Sequence, residues 1–174
     1  MPTNRWIPSI VASAALSIVL GCVNHQADPL GIGLDHVTLS VTLSAPQGSP
    51  SHPVIASGLA INAGESTKAY LAGCDPQAGV FFVLLDPHGN EVLLRDPHAP
   101  VPECPVGLAA LGPGGRIQGG AAFDGALYTT EGVRYQAPAG EYTFMTRLWV
   151  YDGRGWEADR HELEARQTFR WSHE

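Results

Sequence analysis

Aliphatic residues occupy every second position from Val37 to Leu43, where Val37, Leu39, Val41 and Leu43 alternate with Thr38, Ser40 and Thr42. Side chains of a strand point to opposite faces in turn, so this pattern predicts a half-buried strand with its hydroxyls outward. The stretch Ala45 to Pro53 holds three prolines and a glycine. Proline removes backbone donors and glycine loosens the chain, which predicts a loop. Val80 to Leu85 is apolar on both faces and predicts a central strand covered on each side; Asp86-Pro87-His88-Gly89-Asn90 is a turn, and Glu91 to Leu94 returns as the second arm of a hairpin.

The same alternation governs the second half. Leu111-Gly112-Pro113-Gly114-Gly115 is a turn that feeds a strand around Arg116 to Phe123. Tyr142 to Tyr151, rich in aromatic and β-branched residues, is the longest predicted strand, with Tyr142, Phe144, Leu148 and Val150 facing a core. In the tail, His161, Leu163, Ala165, Phe169 and Trp171 take odd positions against Glu162, Glu164, Arg166, Thr168 and Arg170 on even ones. Helical spacing fits this tail worse, because residues three and four from Leu163 are Arg166 and Gln167. About seven short strands separated by turns predict an all-β fold, an antiparallel immunoglobulin-like β-sandwich spanning residues 34–174.

Before residue 34 the pattern changes. Met1 to Arg5 is short and weakly basic, and Ile7 to Leu20 is an almost uninterrupted apolar run without a charge. Fourteen residues are too few for a spanning helix, which needs roughly twenty, but they suit the apolar region of a signal peptide. The run ends in Val19-Leu20-Gly21-Cys22, which resembles the lipobox of bacterial lipoproteins. That resemblance implies a signal peptide over residues 1–21, a helix in its membrane-inserted part, and a mature chain whose Cys22 carries diacylglycerol and an acyl group such as palmitate. An ordinary secretory signal with a chance cysteine is the alternative. Residues 22–33, including Asn24-His25-Gln26-Ala27-Asp28-Pro29, then read as a polar flexible tether. More than one hydrocarbon chain makes membrane attachment stable. The expected location is the cell envelope; with Val23 rather than Asp after the cysteine, a host with two membranes would hold the protein on the periplasmic leaflet of the outer one or at the cell surface.

Charge and cysteine content narrow the partners. The formal charge of −7 becomes −8 once Arg5 is removed with the leader. A mildly acidic surface argues against nucleic acid and against electrostatic docking on anionic lipid. With Cys22 committed to lipid, Cys74 and Cys104 remain, and an even pair in an oxidising compartment predicts one disulfide. Closing a loop of about thirty residues would stabilise the fold by roughly 3 to 4 kcal/mol in the chain-entropy model. The spacing is too wide for a redox CxxC pair.

Two constellations are candidates for chemistry. Asp86-Pro87-His88 and Asp96-Pro97-His98 repeat one triplet at a spacing of ten; if the hairpin brought them together, Asp86, His88, Asp96 and His98 could ligate zinc or copper. Against this stands the ordinary habit of Asp-Pro to start turns. The odd positions of the longest strand, Met145, Arg147, Trp149 and Tyr151, form the other candidate, joined by Trp156 and Trp171. Aromatic residues, Met and Arg are the composition of a protein-binding surface, although loops or the last strand could equally cover this face. No nucleophile and base pair by spacing, His161-Glu162-Leu163-Glu164-Ala165 lacks the second histidine of a zinc-protease motif, and the glycine-rich stretches lack the Lys-Ser/Thr of a phosphate loop. No cofactor and no enzymatic activity are expected.

Val80 to Arg95, Leu108 to Ile117 and Ala137 to Val150 together carry a strand, a D-x-x-G turn, an L-x-P-G turn and a P-x-G-x-Y strand. This run resembles the BsuPI-type intracellular proteinase inhibitor domain over roughly residues 60–150. The resemblance implies an immunoglobulin-like fold and a non-catalytic role, with proteinase inhibition as its narrower form. The chain departs from that pattern in its extra cysteines, its Pro-rich segment at 97–105 and its additional C-terminal strand, and no reactive-site residue carries over. The expectation is a lipid-anchored envelope protein that binds a protein or an envelope component, with metal delivery through the repeated triplet as the alternative.

Overall fold

Alternation in the tail and in the aromatic strand pays out as the longest pairing of the molecule. The computed structural model describes residues 36–73, 79–100, 107–152 and 159–173. Strands β11 (Gly140–Tyr151) and β12 (Arg160–Trp171) run antiparallel from Gly140↔Trp171 to Tyr151↔Arg160. The other edge of β11 is shared by two shorter strands lying end to end. β4 (Lys68–Ala72) pairs at Val150↔Tyr70 and Tyr151↔Ala69, and β5 (Phe81–Leu85) pairs from Arg147↔Phe81 to Thr143↔Leu85. They share one strand position. β7 (Gly107–Leu111) lies outside β4, and β6 (Glu91–Val92) outside β5.

The second sheet has three strands, β1 (Val37–Leu43), β3 (Val54–Asn62) and β8 (Arg116–Phe123), all antiparallel. After β1 the chain crosses to the first sheet, where β2 (Gln47–Gly48) pairs parallel with the end of β12. A small hairpin of β9 (Ala126–Tyr128) and β10 (Arg134–Gln136) precedes β11. A leading segment split between the two sheets, with its second part parallel to the last strand, is an immunoglobulin-like arrangement. So is the corner before β11, where the Tyr142 hydroxyl donates to the Pro138 carbonyl at 2.9 Å. The fold is therefore the expected all-β sandwich, and no helix occurs among the described residues.

Among the described residues there are twelve strands against about seven expected, because some pairings are only two or three residues long and one strand position is divided between β4 and β5. Strand β3 is not predicted by its sequence. Its inward row is Val54, Ala56, Gly58, Ala60 and Asn62, while its bulkier Ile55, Leu59 and Ile61 point outward. Small side chains face in because the other sheet comes close. A Cβ on Gly58 would stand 2.7 Å from Val80 and 3.0 Å from Phe82. The loop expected over 45–53 contains the brief β2, and Gly48 and Ser49 in it are buried. Strand β5, expected to be covered on both faces, is fully buried only at Leu84, since alternate residues such as Phe81 lie on the outer face of the sheet beside Trp149.

Packing between the sheets falls into two clusters that share Phe82. One is aromatic: Phe123, Tyr142, Phe144, Phe169 and Trp171, with Phe123 and Trp171 ring centres 4.6 Å apart. The other is aliphatic, around Val37, Val80, Ile117, Leu148 and Val150. Each large side chain withdrawn from water contributes about 1.5 to 3 kcal/mol. Asn62, fully buried, closes the aliphatic end: its amide donates to the carbonyls of Ser66 (2.8 Å) and Leu111 (2.9 Å), and its oxygen accepts the Gly64 N–H. Every polar atom of that side chain group has a partner, as burial demands.

Candidate binding surface

The outer face of the larger sheet follows from the register of β11. Residues directly paired across strands share a face, so Arg147 stands between Glu164 on β12 and Phe81 on β5, and Met145 between Arg166 and Val83. Trp149 is paired with Glu162. These neighbours define the local chemistry. The Arg147 guanidinium lies 3.1 Å from Glu164, 3.2 Å from Glu162 and 3.1 Å from Glu91, tying β12, β11 and β6 together. Arg166 meets the other oxygen of Glu164 at 2.9 Å. The Trp149 indole donates to Glu162 at 3.0 Å and rests on Phe81 with ring centres 4.8 Å apart.

Ionisation reflects that network. Burial pushes the Glu164 carboxyl up, but hydrogen bonds from Arg166 and Arg147 outweigh it and hold the group below the usual carboxylate range. The hydrogen bond to Glu164 likewise raises the Arg147 guanidinium against the opposing effect of burial. At neutral pH both groups are charged and mutually fixed. The surface is thus a set of long side chains already held in place, which lowers the ordering cost of any contact made there.

Only part of the expected strip is accessible. Arg147 keeps 26 % side-chain exposure and Trp149 is half-buried, so both remain on the surface. Tyr151 is 4 % exposed and Met145 2 %, which removes them as contact residues. Met145 lies beneath Arg147, whose guanidinium reaches its sulfur at 4.0 Å, and Tyr151 sits between its cross-strand partners Arg160 and Ala69. Trp171 faces the opposite way, into the aromatic cluster. Trp156 lies outside the described residues, as do Cys22, Cys74, Cys104 and the signal-peptide helix. Phe81, Glu91, Glu162 and Glu164 belong to the surface and were not singled out from sequence; only the pairing register brings them to Arg147.

The structure does not draw the two triplets together around one point. Asp86 Oδ1 accepts the backbone N–H groups of His88 and Asn90, both at 2.8 Å, and its other oxygen takes the Asn90 amide. Those bonds, the backbone one from Asn90 foremost, hold the Asp86 carboxyl below its ordinary range despite some opposing desolvation. Asp96 repeats the arrangement with the His98 N–H at 2.8 Å, and the His98 ring is bonded to the Thr130 carbonyl at 3.1 Å. Pro87 rests against Gly140, whereas Asp96 and His98 rest against Gly132. Among the described residues no three His, Cys, Asp or Glu side chains converge as a metal-holding group. Both aspartates close their own turns.

The smaller sheet carries a second surface feature. Ser40, Thr42, Ser57, Gly58, Leu59, Gln118 and Gly119 line a shallow groove on the outer face of the three-stranded sheet. Alternation in β1 shows that its hydroxyls point outward; the groove itself requires β3 and β8 beside them.

No known protein family and no curated protein matches the chain. Among solved structures, the putative ApaA protein of Bordetella pertussis is similar over 76 % of this chain and 91 % of its own, at 13 % identity and a TM-score of 0.42. AggA, the major subunit of aggregative adherence fimbriae type I of Escherichia coli, covers 80 % of this chain and 97 % of its own, at 14 % identity and a TM-score of 0.37. A β-glucosidase of Erythrobacter marinus is similar over 78 % of this chain but only 15 % of its own length, at 12 % identity and a TM-score of 0.38. Likeness at this level carries no argument about function.

Proposed function

We propose that this protein is a lipid-anchored envelope lipoprotein whose β-sandwich is a non-catalytic binding domain for a protein or another envelope component. The carrying observation is Val19-Leu20-Gly21-Cys22, at the end of an uncharged apolar run and ahead of an all-β domain. Acylation of Cys22 fastens the domain to a membrane surface. The contact surface of this reading is Arg147 and Trp149 with Phe81, Glu162 and Glu164. An Arg and a Trp held by neighbours are the residue types that dominate binding energy at interfaces. Proteinase inhibition is a narrower form of the same role and rests on the sequence resemblance.

A Cys74–Cys104 disulfide belongs to this reading. Support comes from the described residues on either side: Ala72 and Gly107 are direct partners at the end of the β4–β7 ladder, so the two cysteine-bearing segments depart from neighbouring points. Alkylation before and after reduction tests it, with no free thiol expected before reduction.

A photo-cross-linking residue placed at Trp149 of the full-length lipoprotein, irradiated in intact envelopes, tests the binding face. The expected result is a discrete adduct that is missing when the same residue replaces Thr38 on the outer face of the other sheet. Equal adducts from both positions, or none from Trp149, would remove this surface from the proposal.

A further inference from the structure

We draw no further inference here: the strongest candidate, the hydroxyl-lined groove on the outer face of the three-stranded sheet between Ser40, Ser57 and Gln118, is a stripe of small side chains, and nothing in the structure shows what would occupy it.

Discussion

Replacing Tyr142 by Phe isolates the corner that starts the central strand. The ring is fully buried, with Phe123 and Phe169 ring centres 5.3 and 6.0 Å away, and Phe keeps those contacts. What disappears is the hydroxyl that donates to the Pro138 carbonyl at 2.9 Å. Loss of one such bond, with the carbonyl left partly shielded, costs about 1 to 2 kcal/mol. For a domain of this size that corresponds to a fall in Tm of roughly 2 to 8 °C. Alkaline pH supplies an independent signature. Burial, reinforced by the negative charge of Asp86 and by Tyr135, raises the Tyr142 phenol above its ordinary value of 10.0. The raised folded value means that the unfolded chain loses this proton first. The associated stability is complete below about pH 10 and declines as pH climbs through the folded value. Urea unfolding followed by tryptophan fluorescence at pH 8 and again above pH 10 should show Tyr142→Phe less stable at the lower pH and with a smaller alkaline decline. Stability within about 0.3 kcal/mol of the parent at pH 8, with an unchanged alkaline decline, would refute the assigned role of the hydroxyl; that margin lies well inside the cost expected for a lost bond.

Three further outcomes follow from named contacts. Asn62→Ala strips partners from two carbonyls and one N–H at a buried position and should cost about 2 to 3 kcal/mol in the same unfolding assay, whereas an exposed Asn90→Ala should cost less. Gly58→Ala pushes a methyl into Val80, Phe82 and Thr146 and should destabilise by about 1 to 3 kcal/mol; an unchanged Tm would mean that the sheets separate there at no cost. Arg147→Gln should lower neutral-pH stability by less than about 1 kcal/mol, since the pairs are partly solvated. Its clearer effect is on acid unfolding. The depressed Glu164 carboxyl contributes stability above its unfolded value of about 4.5 that is lost as pH falls through the folded value, and the variant should flatten that loss. An identical acid profile would argue against the network.

Strands with a regular apolar and polar alternation, or rich in aromatic and β-branched residues, were legible from the chain. β1 and β12 announce themselves by alternation, β8 by the turn that feeds it and β11 by its aromatic and β-branched content, and β12 in particular keeps its expected inward row from His161 to Trp171. β3 was silent because its rows are inverted: Ala56, Gly58 and Ala60 point inward for close sheet contact, while Ile55 is 51 % exposed. Hydrophobicity reports which face is greasier, and there the greasier face is the outer one. At the site, sequence placed Arg147 and Trp149 on one surface but could not see that Arg147 lies over Met145 or that Tyr151 is buried between Arg160 and Ala69. Three carboxylates converge on Arg147 from positions as far apart as Glu91 and Glu164, and only register reveals that. The aspartates of the two triplets instead close their own turns, each accepting the backbone N–H two residues on, and only the register shows that the triplets do not converge.

Intact-mass spectrometry of the protein extracted in detergent from the membranes of a lipoprotein-processing bacterium addresses the anchor itself. A chain that begins at Cys22 and carries the added mass of a diacylglyceryl group with its N-acyl chain is the predicted result. A chain that still begins at Met1, or one that ends its processing elsewhere with no fatty acid on Cys22, would contradict the account.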